Sequence, residues 1–256
     1  MRSLILSFLI AGFAWVPASS NARGSADEVR VLFIGNSLTY VGNLPRVLEE
    51  ISAANGRAVS AQMIASGGAT LTQHLTDPEV RRSIAHDSFD FVVLQERGGD
   101  LICAFGPASC EESRVALARL SELVTDAGSS AILLGTYQNS ASASERLEAA
   151  EAEEASRHGI HHLSVSGLIR RGREEVPHAT WLATDGMHPG ADLTLLKSAL
   201  VFHHIFDSPP SSVAFHVDGD MRDPGLKGES GRSYSADRVA AVLGFLDLGA
   251  REGADR

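Results

Sequence analysis

Val29-Arg30-Val31-Leu32-Phe33-Ile34 is an apolar, β-branched run, broken only by Arg30, that stops at Gly35. A stretch this short with no polar face reads as a strand covered on both sides. The same kind of run returns near Ala58 to Ile64, Phe89 to Gln95, Ser130 to Gly135 and Ile160 to Val165. Between these runs lie helical patterns at about 44–54, 71–86, 111–127 and 142–157, the last rich in Ala, Glu and Leu, all good helix formers. Strands alternating with helices make βαβ units. The expected architecture is therefore α/β: a doubly wound, three-layer α/β/α arrangement around a five-stranded parallel sheet. Sheets of this kind carry their sites outside the carboxyl ends of the strands.

Beyond the fifth strand, Pro189 to Phe206 reads as a helix with proline in its first turn, where a missing N–H costs nothing. Pro209-Pro210 ends it. The Gly, Asp and Ser-rich stretch from Asp218 to Ser235 reads as a long loop, and Ala236 to Ala250 as a closing amphipathic helix. No internal repeat and no second domain is evident.

The N-terminus has the form of a secretory signal peptide: Arg2, thirteen mostly apolar residues from Leu4 to Val16, then small residues at Ala18 and Ala22. Thirteen residues fall short of the roughly 20 that span a bilayer as a helix. Cleavage after Ala18 and after Ala22 are both compatible with the pattern. Residues 1–22 are thus expected to be a signal and 23–256 a single exported domain, periplasmic or extracellular, with no stable membrane insertion after cleavage. In such a compartment Cys103 and Cys110, enclosing six residues, are expected to form a disulfide that stiffens a local loop.

The chain is acidic, with 22 Lys and Arg against 32 Asp and Glu and a formal net charge of −10. Nucleic acid is not an expected partner, because neutralising phosphates requires clustered Lys and Arg. The one local basic run, Arg170, Arg171 and Arg173, reads as a solvated helix face. No phosphate-binding or dinucleotide-binding glycine motif is present, and no pattern of ligands implies a metal or an organic cofactor. The adjacent pairs His161-His162 and His203-His204 are poor metal sites, since neighbouring side chains point apart.

Ser37 follows the first strand directly, in Gly35-Asn36-Ser37-Leu38-Thr39. A serine there serves equally as a turn or cap residue, and an alcohol is a poor nucleophile without a base. A base is available in Asp185-Gly186-Met187-His188-Pro189. In a turn, a spacing of three lets the carboxylate hold one imidazole nitrogen while the other accepts a proton.

Gly-Asn-Ser-Leu-Thr around Ser37 and Asp-Gly-Met-His-Pro at 185–189 resemble the first and last conserved blocks of the SGNH (GDSL-like) hydrolase family, in the right order along one α/β pattern. The resemblance spans about residues 29–206, and the segment 199–210 with the final helix also resembles the tail of a bacterial subgroup. It implies a flavodoxin-like fold, Ser37 as nucleophile, and Asp185 and His188 as its acid–base partners. It further implies an oxyanion hole from the N–H groups of Ser37 and Gly68, the latter in Ser66-Gly67-Gly68-Ala69-Thr70, plus an asparagine side chain from a third block. Here the sequence departs from the family: after the third strand stands Gln95-Glu96-Arg97-Gly98-Gly99-Asp100, with no asparagine. The Gln95 amide is the expected substitute donor; a role as a turn residue at the strand end stays open. The activity implied is hydrolysis of a small ester, with an O-acetylated glycan the expected substrate. An O-acetyltransferase with the same triad and a non-catalytic glycan-binding relative are the alternatives. Oligomeric state cannot be read from the sequence.

Overall fold

Alternation within the strands sets the layers. In the computed structural model, which describes residues 28–222 and 230–253, the first strand β1 (Val29–Gly35) sends Val31 and Phe33 to one face and Leu32 and Ile34 to the other, all buried. β2 (Val59–Ala65), β3 (Phe91–Leu94), β4 (Ser130–Leu134) and β5 (His161–Leu163) complete a parallel sheet of order β2-β1-β3-β4-β5. β3 and β4 split in the same way: Val93, Ile132 and Leu134 join Val31 and Phe33, while Val92, Leu94, Ala131 and Leu133 join Leu32 and Ile34.

Each face is covered by helices whose apolar residues meet these two sets. Besides a single turn, α1 (Ser37–Tyr40), the chain forms α2 (Leu44–Ala54), α3 (Leu71–Thr76), α4 (Pro78–His86), α5 (Pro107–Asp126), α6 (Ala141–Arg157), α7 (Ser166–Glu175), α8 (Ala191–Phe206) and α9 (Ala236–Gly253). Leu44, Val47, Leu48 and Ile51 of α2, Leu168 and Ile169 of α7, Leu193 to Phe202 of α8, and Val239 and Val242 of α9 pack on the first face. Leu71, Val80 and Ile84, with Ala116, Leu117, Leu120 and Val124 of α5, pack on the second. The expected α/β sheet with helices on both faces is present.

Several boundaries differ from expectation for local reasons. The helix expected over 71–86 is two helices. Asp77 ends α3 and caps α4 through the Glu79 N–H, and Pro78, which cannot donate, begins the new helix. α7 extends on both sides of the helix face expected at Arg170, Arg171 and Arg173; its sequence, Ser-Gly-Leu-Ile-Arg-Arg-Gly-Arg-Glu-Glu, has two glycines and few apolar residues, and Leu168 and Ile169 anchor it. Pro189 does not open α8. It lies in an antiparallel bridge with Leu182, and the helix begins at Ala191. Within the stretch expected as a loop, β7 (Gly231–Tyr234) pairs with β6 (Phe215–Asp218), and Phe215 stacks on Tyr234. The expected signal peptide, residues 1–22, lies outside the described residues. No helix among the described residues is long and apolar enough to cross a membrane.

Candidate active site

The turn that carries Ser37 is dictated by its neighbours. Gly35 closes β1 where a Cβ would stand 2.3 Å from Thr39 Oγ1, so no side chain fits there. Asn36, buried, caps α1: its Oδ1 accepts from Leu38 N at 3.0 Å, and its Nδ2 donates to the Ala69 carbonyl at 3.1 Å. Ser37 is the first residue of α1, half-buried, at the carboxyl edge of the sheet. The N–H at such a position has no intrahelical acceptor.

Ser66 to Ala69 form the neighbouring turn. Ala69 N donates to Ser66 O at 3.1 Å, and Gly68, third in the turn, has φ +68°, a conformation glycine adopts without strain. The turn's own hydrogen bond leaves the Gly68 N–H outside it. Because Asn36 holds Ala69, the N–H groups of Ser37 and Gly68 belong to two turns locked to each other.

Asp185 and His188 meet. Asp185 Oδ2 lies 2.5 Å from His188 Nδ1, while its Oδ1 accepts the backbone N–H groups of Met187 and His188 at 2.9 and 3.0 Å. Desolvation works to raise the Asp185 pKa, but the hydrogen bonds from His188 and the two amides outweigh it and hold the carboxyl down to about 2. Asp185 is therefore ionised at neutral pH. The loop is fixed at both ends: Ala183 N donates to His188 O, Gly190 N to Trp181 O, and Tyr137 Oη to Met187 O at 2.9 Å. Gly190 is required, since a Cβ would meet the Thr180 carbonyl at 2.2 Å.

Ser37 follows β1, and the His188 loop is tied to Tyr137, just past β4; both lie at the same edge of the sheet. No hydrogen bond joins the Ser37 hydroxyl to His188 among the described residues.

Gln95, expected as an oxyanion donor, is instead turned into the protein. It is buried, its Oε1 accepts from Thr39 Oγ1 at 2.8 Å and from Lys197 Nζ at 3.3 Å, and its Nε2 faces the Gly135 carbonyl at 3.4 Å. With Lys197 Nζ donating, the end of the amide that faces it is the oxygen. Glu96 is also buried and serves the frame. It accepts from Leu71 N at the head of α3, from Arg97 N and from Ser113 Oγ, yet desolvation pushes its pKa up to about 7 against those bonds. Beside them Arg97 pairs with Asp100 and stacks on Phe105, 3.8 Å from the ring centroid. Phe105 is 54% exposed and lies in the loop that the Cys103–Cys110 disulfide closes.

Tyr137, Lys197, Glu96 and the bridging amide of Asn36 were not picked out from the sequence as site residues. Lys197 had a signal, being a single lysine inside the apolar run Leu193 to Phe202. Among the described residues no group of three or more His, Cys, Asp or Glu side chains is arranged to hold a metal.

No family model and no curated protein matches the chain. Solved structures do. A DUF4886 family protein from Bacteroides uniformis aligns over 71% of this chain and 84% of its own at 15% identity, with a TM-score of 0.59. A variant of an acetyl xylan esterase from Geobacillus stearothermophilus aligns over 70% and 95% at 13% identity and 0.55. A psychrotrophic esterase from Pseudoalteromonas aligns over 70% and 98% at 13% identity and 0.53. The chain has an SGNH-like hydrolase fold.

Proposed function

We propose that the protein is an exported serine esterase that removes small acyl groups, O-acetyl groups on carbohydrate above all, through Ser37, His188 and Asp185. The observation that carries this reading is the Asp185–His188 contact. An ionised carboxylate on Nδ1 fixes the tautomer in which Nε2 is the free base. In the proposed reaction Nε2 takes the Ser37 proton as Oγ attacks the ester carbonyl. The N–H groups of Ser37 and Gly68 hold the oxyanion; groups of this kind are worth about 3 kcal/mol each. The imidazolium then protonates the departing alcohol, leaving an acyl-Ser37. Water, deprotonated by the same nitrogen, attacks it, and the acid leaves as Ser37 regains its proton. Gln95 supports the site from below rather than donating to the oxyanion.

The esterases among the structures with this fold favour a carboxylic ester as substrate. Residues 1–22 are assigned as a signal peptide and 23–256 as a single exported domain. The test is a panel of p-nitrophenyl esters of increasing chain length with acetylated xylan and acetylated peptidoglycan fragments, run beside labelling by a fluorophosphonate. Acetate release with labelling lost in Ser37→Ala is expected. Labelling that survives this substitution would show that another serine is the nucleophile.

A further inference from the structure

Lys197 is a fully buried amine, its pKa lowered to about 7 by desolvation, that the reaction above leaves without a role. It sits in α8, 1% exposed, and no carboxylate pairs with it among the described residues. A lysine is rarely buried unless something holds its charge. What holds it is a backbone carbonyl: Nζ lies 2.6 Å from Leu38 O, with Gln95 Oε1 as second acceptor at 3.3 Å.

Leu38 follows Ser37, and its carbonyl is in need of a donor. The group four residues on, which would serve it in a longer helix, is the Gly42 N–H. That N–H is committed elsewhere, to Met221 O at 2.7 Å. The Ser37 carbonyl keeps its helical donor, Val41 N. Lys197 therefore supplies the bond that the one-turn helix lacks. Its second acceptor is also held by Thr39, so residues 38 and 39 are tied through Lys197 and Gln95 to α8 and to the end of β3.

The same helix governs the base. α8 begins at Ala191, directly after His188-Pro189-Gly190, and its Asp192 accepts from Thr180 N behind that loop. One rigid element thus carries the His188 loop at its head and grips the Ser37 turn from its middle.

We propose that Lys197 is a positioning residue for the nucleophile, fixing the Ser37 turn against α8 and thereby setting Ser37 relative to His188. The assignment rests on the serine esterase reading. A misplacement of about 1 Å between reacting groups costs on the order of 100-fold in rate, so loss of the grip is expected in kcat rather than in KM.

The experiment compares wild type, Lys197→Met, Lys197→Gln and Ser37→Ala. Fluorophosphonate labelling rate, kcat and KM on p-nitrophenyl acetate, and amide hydrogen exchange of residues 36–43 are measured on each. Lys197→Met is expected to label at least 10-fold more slowly, to show a matching fall in kcat while KM stays within threefold of wild type, and to exchange faster across 36–43 while α2 and β3 stay protected. Lys197→Gln, a shorter donor, is expected to fall between the two. Wild-type labelling and kcat in Lys197→Met overturn the proposal, as does unchanged exchange across 36–43. If Lys197→Met does not fold, Lys197→Gln decides: labelling at least threefold slower with unchanged KM supports the proposal, and a wild-type rate overturns it. A wild-type protein that neither labels nor turns over any ester sinks the serine reading and this assignment with it. Labelled wild type with unaffected Lys197 variants sinks only the assignment.

Discussion

Asn36 donates its Nδ2 to the carbonyl of Ala69, 33 residues further on, while its Oδ1 caps the turn that begins with Ser37. The two ends of one buried amide thus couple the turn of the proposed nucleophile to the turn of the second proposed oxyanion donor, Gly68. Only an amide does both: an aspartate caps as well but offers a carbonyl no proton.

Asn36→Asp tests this coupling. A buried carboxylate oxygen facing the Ala69 carbonyl leaves two acceptors opposed, which costs about 1–3 kcal/mol for an unsatisfied buried group. We expect lower stability in urea and at least a 10-fold loss in kcat/KM, with the Asp185–His188 contact intact. Wild-type kcat/KM in a folded Asn36→Asp protein would separate the two turns functionally.

Asp185→Asn tests the other half of the site. The asparagine keeps the size and one acceptor but removes the charge that stabilises an imidazolium on His188, and its NH2 competes for the ring nitrogen. A loss in kcat on the order of 10⁴-fold is expected where a carboxylate plays this part. Steady-state kinetics at saturating ester, with near-wild-type thermal stability as control, checks it. A loss under 10-fold would remove Asp185 from the mechanism.

The parts of this structure legible in the sequence are those whose cause is local. β1 announced itself because six adjacent residues have no polar face. Asp185 and His188 were legible because a spacing of three within one turn brings them together. The break between α3 and α4 was also written locally, in Asp77-Pro78, but the apolar periodicity running across it reads as one helix. What could not be read depends on partners far along the chain. Lys197 meets Leu38 across 159 residues, and Gln95 is turned inward by Thr39 and Lys197, from two different helices. Its position at the end of β3 suggested a ligand-facing amide; only the packed neighbours determine where that amide points. β6 and β7 are joined through a connection part of which, residues 223–229, lies outside the described segments, and each strand alone is four residues long.

The Cys103–Cys110 disulfide holds a loop that follows the carboxyl end of β3. It closes the loop presenting Phe105, whose ring stacks on Arg97 and comes within 3.5 Å of where a Cβ on Gly99 would stand. Replacing both cysteines by serine is expected to lower stability by about 2–3 kcal/mol, as closing a loop this short does in the chain-entropy account. It is also expected to raise KM for a glycan ester more than for p-nitrophenyl acetate, because the larger substrate extends further from Ser37. Urea unfolding and paired kinetics on the two substrates measure both effects. An equal change in both KM values would place the loop away from the substrate.

Glu96 makes stability depend on pH. Its folded pKa is raised to about 7 from 4.5 because burial penalises the charged carboxylate more than Ser113, Arg97 N and Leu71 N favour it. The folded protein thus binds a proton more tightly than the unfolded chain does. The contribution is fully present below about pH 4.5, declines as pH rises from there, and is gone above about pH 7. Asp185, with its folded pKa held down to about 2 from 3.8, acts in the opposite sense and in a separate window: its contribution is present above pH 3.8 and is lost as pH falls through 2. Glu96→Gln should remove the upper slope, since the amide oxygen can still accept from Leu71 N or Arg97 N and no charge is buried. Urea midpoints at pH 5 and pH 8 are expected to differ more in wild type than in Glu96→Gln, with the variant gaining at pH 8. Equal pH dependence in the two proteins would mean that the carboxylate stays charged in its pocket, stabilised enough by its three donors to outweigh the lost hydration.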